Sequence, residues 1–107
     1  MKASDEIRRD ILNVIALVPS GKVATYGQIA RLAGYPQHAR FVGRTLSDLV
    51  ENHTIAWHRI VNAQGEIRVL QTTTHGLSLQ AELLCAEGIV VNEGRVSLKS
   101  YRWDGST

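Results

Sequence analysis

The sequence predicts an α+β domain, with a helix-turn-helix core of winged helix-like form and short strands at its margin. Three observations lead there. Apolar residues recur at helical spacing near the start of the chain. Two short helical stretches then flank a turn containing Gly and Pro, and the second half includes short β-branched runs punctuated by Asn and Gly. At 107 residues and 44% hydrophobic content, the chain fits one domain over residues 1–107 with a single core.

Each element has its own signal. Ser4 is the expected N-cap of the first helix, with Asp5 and Glu6 placed to favour the positive end of its dipole. Ile7, Ile11, Val14, Ile15 and Val18 give that helix one apolar face, and Pro19-Ser20-Gly21 stops it. Val23-Ala24 form a short extended connection. Thr25 and Gln28 spell a capping box, so a second helix starts at Tyr26 and stops before Gly34 and Pro36. A third helix is expected from His38 to about Asn52, with Val42, Leu46, Leu49 and Val50 inward. Residues 55–61 are expected to be extended and to end in the Asn62-Ala63-Gln64-Gly65 turn, with 66–70 pairing back. Thr74 is the expected cap of a fourth helix that carries Leu79, Leu83 and Leu84 and ends at Gly88. Ile89–Val91 and Val96–Leu98 flank Asn92-Glu93-Gly94 as a hairpin.

Composition narrows the function classes. A net charge of +2 is compatible with a small nucleic-acid binder without arguing for one. No apolar run is long enough to span a membrane, and the first residues lack the apolar stretch of a signal peptide. The single cysteine, Cys85, excludes an internal disulfide framework and suits a reducing cytoplasm. It falls on or beside the Leu face of the fourth helix, where a buried small hydrophobe is expected. The histidines at 38, 53, 58 and 75 lack metal-ligand spacing, so no metal site is expected.

The third helix carries the clearest binding chemistry. Arg40 stands in its first turn, and its exposed face is expected to offer Arg44, Thr45 and Ser47. Arginines, hydroxyls and a helix N-terminus are groups that hold phosphates. Gly43 costs this helix about 1 kcal/mol relative to alanine. Either something approaches the helix backbone closely there, or the glycine permits helix–helix packing.

Three blocks carry a family resemblance: Gly21-Lys22-Val23-Ala24-Thr25-Tyr26-Gly27-Gln28-Ile29-Ala30, Ala39-Arg40-Phe41-Val42-Gly43 and Ala56-Trp57-His58-Arg59-Ile60. In this order and spacing the chain resembles the DNA-binding domain of the O6-alkylguanine-DNA alkyltransferases. Those enzymes hold an alkyl-accepting cysteine in a Pro-Cys-His-Arg-Val box. Trp57 stands in the place of that cysteine, as in the alkyltransferase-like proteins. A thiolate attacks an alkyl carbon, whereas an indole has no comparable nucleophile. The resemblance therefore implies a non-enzymatic reader of O6-alkylguanine in duplex DNA that needs no cofactor.

The same resemblance implies roles for individual residues. The third helix enters the minor groove, and Arg40 fills the gap left by an extruded nucleotide. Tyr26 presses on the neighbouring phosphate and helps rotate the nucleotide out, and Gly27 and Gly43 match family glycines. Trp57 lines the pocket for the flipped base, although read alone it is an ordinary core tryptophan. His58 matches the histidine that activates the cysteine and here supports the pocket, while Arg59 braces the pocket loop. Arg68 is the nearest cation to a lesion-contacting arginine of some alkyltransferase-like proteins, though strict counting puts Leu70 there. Glu82 lies one position away from where the acidic member of the enzymes' Cys-His-Glu relay is expected. Ala56 replaces the usual proline of the box, and Glu51-Asn52-His53-Thr54 stands where an Asn-Pro pair is common. The implied partners are lesion-bearing duplex DNA and nucleotide excision repair proteins, with no membrane, for a cytoplasmic monomer that joins the nucleoid when bound to DNA. The rival readings are a transferase using Cys85, and a helix-turn-helix regulator or architectural protein on undamaged DNA.

Overall fold

Helix α1 (Ser4–Ile15) buries Ile7, Ile11 and Ile15, residues four apart that share one face. Its start differs from expectation: Ser4 is already helical, and Ala3 holds the N-cap position without a side-chain hydrogen bond. The helix ends at Ile15, yet Val18 remains buried. A tightened turn follows, in which the N–H groups of Leu17 and Val18 bond the carbonyls of Val14 and Ile15. The computed structural model describes residues 3–49, 55–67 and 78–106.

Strand β1 (Ala24–Thr25) runs directly into α2 (Tyr26–Leu32). The capping box forms as spelled: the Thr25 hydroxyl accepts from the Gln28 N–H at 3.1 Å, and the Gln28 side chain accepts from the Thr25 N–H at 3.4 Å. Helix α2 closes in a Schellman turn. The Gly34 N–H bonds the Arg31 carbonyl and the Tyr35 N–H bonds the Ala30 carbonyl at 2.8 Å. Gly34 takes φ +94°, which glycine adopts without strain. Helix α3 (Ala39–Leu49) begins one residue later than expected and buries Val42 and Leu46 as expected. Its expected continuation to Asn52, and the inward positions of Leu49 and Val50, fall outside the described residues and side chains.

The segment from 55 does not start as extended chain. Trp57–Arg59 form a single 3-10 turn, and strand β2 begins only at Ile60–Val61, where β-branching favours extension. Strand β2 pairs in parallel with β1, Ala24 opposite Ile60 and Thr25 opposite Val61. This pairing sets the Trp57 turn against the helix-turn-helix. The end of the chain is stitched to the same region. The Val23 N–H donates to the Tyr101 carbonyl at 2.9 Å, and the Trp103 N–H donates to the Val23 carbonyl at 2.7 Å.

The Asn62–Gly65 turn forms as expected, with the Gly65 N–H on the Asn62 carbonyl. Glu66 accepts from the Asn62 N–H and also bridges Arg95, so this stretch joins the last hairpin. The expected pairing of 68–70 and the Thr74 cap fall outside the described residues. Helix α4 (Leu79–Ala86) is capped by Ser78, whose hydroxyl accepts from the Ala81 N–H at 3.3 Å. It ends in a second Schellman turn around Gly88. Strands β3 (Val91–Asn92) and β4 (Arg95–Val96) are antiparallel. Their turn is the pair Glu93-Gly94, with φ 54° and 75°, so Asn92 lies in the strand opposite Arg95. Leu98 leaves the sheet because Ser97 caps a short helix, α5 (Leu98–Tyr101).

Among the described residues two packed groups make the core. Ile7, Ile11, Ile15, Ile29, Val42, Leu46 and Trp57 unite α1, α2, α3 and the Trp57 turn. Val23, Val61, Leu84, Ile89 and Val96 join the strands to α4. None of the helices described is long and apolar enough to cross a membrane.

Candidate nucleic-acid interface

Helix α3 presents two chemically distinct faces. Val42, Thr45 and Leu46, at spacings of three and four, are buried, whereas Arg40, Arg44 and Ser47 are exposed. The expectation that Thr45 belongs to the DNA-facing set is therefore corrected. Thr45 is 1% exposed and turned inward by the helical period, its hydroxyl buried without a hydrogen-bond partner. The remaining residues converge. Tyr26, Ala39, Arg40, Gly43, Arg44 and Ser47 line one cleft of about 410 Å³. Half-buried Gly27 follows Tyr26 in the first turn of α2.

Local chemistry fixes this cleft. The capping box sets where α2 begins, and hence where Tyr26 points. The turn between α2 and α3 is held by the His38 ring, edge-on to Tyr35 at 5.6 Å and to Phe41 at 6.2 Å. The Tyr35 hydroxyl hydrogen-bonds Asp10, tying the turn to α1. Among the described residues no ion pair holds Arg31, Arg40 or Arg44, in contrast to Arg59 and Arg95, which meet Glu87 and Glu66. Cations left uncancelled along α2 and α3 favour a polyanion.

Behind the helix-turn-helix lies the Trp57 turn. Trp57 is 3% exposed and packs within the main core group. His58 and Arg59 both reach Glu87, a residue to which the sequence assigned no role, as it assigned none to Glu82. His58 Nε2 lies 2.7 Å from Glu87 Oε2, and Arg59 donates through Nε at 3.0 Å and Nη2 at 2.8 Å. The Gly21 N–H donates to Oε1 at 3.0 Å, and Arg59 Nη1 donates to the Val18 carbonyl at 2.9 Å. One carboxylate thus joins the end of α4, the Trp57 turn and the loop after α1. Burial alone raises the Glu87 pKa, but the hydrogen bonds from Arg59, His58 and Gly21 prevail and hold it at about 2.

Gln80 is a second residue the sequence reading missed. It is 1% exposed, and its Nε2 donates to the carbonyls of His58 and Ile60 at 3.0 and 2.9 Å. A polar residue four positions before Leu84, on the same buried face, was the available signal. That face also accounts for Cys85. It turns away from Gln80 and Leu84 and is exposed, which corrects the expectation that it is buried. Arg68 falls outside the described residues. Among the described residues, no group of three or more His, Cys, Asp or Glu could hold a metal ion.

The fold and the site together define a helix-turn-helix DNA-binding domain backed by a braced aromatic turn. The family described as 6-O-methylguanine DNA methyltransferase, DNA binding domain, matches residues 6–89. The chain is 43% identical over 100 residues to the DNA base-flipping protein of Vibrio parahaemolyticus, covering 92% of this chain and 97% of that one. It is 40% identical over 105 residues to the DNA base-flipping protein of Escherichia coli, covering 97% of this chain and 79% of that one. The crystal structure of S. pombe Atl1 in complex with damaged DNA containing O6-carboxymethylguanine superposes with a TM-score of 0.84 at 31% identity, covering 97% of this chain and 99% of that one. The chain belongs to the 6-O-methylguanine DNA methyltransferase DNA-binding domain family, and with Trp57 in the cysteine's place it is of the alkyltransferase-like kind.

Proposed function

We propose that this chain recognises O6-alkylguanine in duplex DNA by minor-groove binding and nucleotide flipping, leaves the alkyl group in place, and flags the lesion for nucleotide excision repair. The observation that carries the reading is an indole held where chemistry would need a thiol. The turn that carries Trp57 is braced by the bonds of His58 and Arg59 to Glu87, yet the indole has no nucleophile comparable to a thiolate. The chain's one thiol, Cys85, is exposed on α4, on a face turned away from Gln80 and Leu84, and it is Gln80 that meets the Trp57 turn.

Flipping suits the substrate. The altered O6 edge lies within the base stack, and alkylation removes the N1 proton, so pairing with cytosine is weakened. Extrusion then costs less than the few kcal/mol of an intact pair. Arg40, exposed at the start of α3, fills the vacated space, while Tyr26 crowds the neighbouring phosphate from the other side of the cleft. Stacking on the flipped base returns on the order of 1–3 kcal/mol. These opposing amounts are similar, so a weakened pair opens where a sound pair stays closed. Trp57 is 3% exposed and outside the lining of the Tyr26–Arg40 cleft, so on this reading the flipped base parts the packing over it before the indole gives the alkyl group dispersion contact. The relative from S. pombe whose structure contains O6-carboxymethylguanine supports the lesion class, and the relatives named as base-flipping proteins support the motion.

A competition titration tests this, using labelled duplexes that differ by one O6-methylguanine at fixed salt. The expected result is preference for the lesion duplex, with the methyl group still on the DNA afterwards. Equal affinity for both duplexes would return Trp57 to a purely structural role and favour a regulator or architectural protein. Methyl transfer to the protein would make it an enzyme.

A further inference from the structure

Gly27 and Arg31 stand one helical turn apart on α2. Gly27 has no steric need to be glycine. Its φ is not positive, and a β-carbon built there would meet one described atom within 4 Å, Arg31 Nη1 at 3.4 Å. That atom is the far end of a flexible side chain, so the fold itself would accept alanine. A glycine that the protein's own packing does not require suits close approach of an outside molecule to the backbone.

Arg31 points the same way. It sits in the last turn of α2, where the carbonyl end of the helix would attract its charge. Its guanidinium instead lies back over Gly27, and no ion pair among the described residues draws it there. The bare backbone and the arginine fork lie immediately beside Tyr26, which opens the cleft shared with Arg40 and Arg44. A flexible guanidinium beside a backbone that carries no side chain suits a phosphate, which accepts two parallel N–H bonds and needs room for its oxygens.

We propose that Gly27 and Arg31 form a binding site for a backbone phosphate of the duplex, beyond the flipping cleft and blind to the lesion. This inference rests on the reading that the chain binds duplex DNA. The site supplies affinity and register along the strand, while Arg40 and Trp57 supply discrimination.

The test measures affinity against salt for wild type, Arg31→Gln and Gly27→Ala, on lesion and undamaged duplexes. One lost phosphate contact lowers the slope of log affinity against log salt by about 0.9. Arg31→Gln is expected to show that loss on both duplexes, with affinity down on the order of three- to tenfold at low salt and the lesion-to-undamaged ratio unchanged. Gly27→Ala is expected to keep or raise Tm and yet weaken both duplexes to a similar extent. A wild-type slope in Arg31→Gln, wild-type affinity in Gly27→Ala, or a loss confined to the lesion duplex overturns the inference. The wild-type titration separates the two readings. Absence of lesion preference there defeats the proposed function, while the slope on undamaged DNA still judges the phosphate site.

Discussion

Replacing Glu87 with glutamine removes one charge from the junction of three elements while nearly preserving shape. The carboxylate sits at the C-cap of α4, the negative end of a helix, where an anion is disfavoured. What holds it ionised is the set of donors from Arg59, His58 and Gly21, which outweighs burial and lowers its pKa from 4.5 to about 2. At about 1.4 kcal/mol per pH unit, that difference corresponds to about 3 kcal/mol of folding stability at neutral pH. The side chain keeps 13% of its surface in water, so screening removes part of this. A measured loss of about 2–3 kcal/mol is expected for Glu87→Gln. The sign follows from proton counts. Between about pH 2 and 4.5 the unfolded chain binds the proton that the folded chain rejects. The stabilisation is therefore complete above the unfolded value and lost as pH falls through the folded one. Urea unfolding of both proteins at several pH values from about 6 down to about 2 should show a gap that closes toward the acid end, with unchanged m-values. A gap that stays constant across this range would refute the electrostatic account and leave only packing.

Other substitutions follow from individual contacts. Arg40→Ala should weaken lesion binding by about 1–3 kcal/mol, and Tyr26→Ala should weaken it less, both with native circular dichroism. Two folded variants that bind the lesion duplex like wild type would end the flipping model. Gly65→Ala should destabilise by about 2–4 kcal/mol in urea unfolding. Its β-carbon would fall 2.3 Å from the Val96 carbonyl oxygen at φ +80°. A loss below about 1 kcal/mol would mean that this turn yields easily. Thr45→Val should leave DNA binding intact and stabilise the fold by up to about 1 kcal/mol, because it replaces a buried hydroxyl that has no partner. A large loss of affinity would return Thr45 to the interface.

Local signals were legible in the sequence wherever neighbouring residues complete the chemistry. The Thr25–Gln28 box and the glycines that close α2 and α4 lie within a few positions of what they cap. The inward face of α1 follows from helical period alone. Ser4 and Thr45 show the limit of type-based inference. A residue suited to capping was already inside the helix, and a hydroxyl suited to phosphate faced the core. The parallel pairing of β1 with β2 was beyond reach, because two-residue strands carry no period and find each other only through tertiary contact. Glu87 was missed for a related reason. Its value comes from Gly21, His58 and Arg59, which are remote in sequence, and its own neighbourhood reads as an ordinary helix end.

The retention of that braced junction around a side chain that cannot react has a physical rationale on the proposed reading. An enzyme that captures an alkyl group covalently makes recognition irreversible, so a loosely ordered pocket can still succeed over repeated encounters. A reader has only equilibrium binding. Every degree of freedom ordered on association subtracts from the small free-energy difference between a damaged and a sound pair. Gln80 fixes the backbone on both sides of Arg59, and Glu87 fixes His58 and Arg59 before any DNA arrives. Loss of these bonds should therefore reduce discrimination more than non-specific affinity, which comes from the arginines of α2 and α3. Glu87→Gln then becomes informative a second time, because its lesion-to-undamaged affinity ratio should fall at neutral pH while its salt slope stays that of wild type.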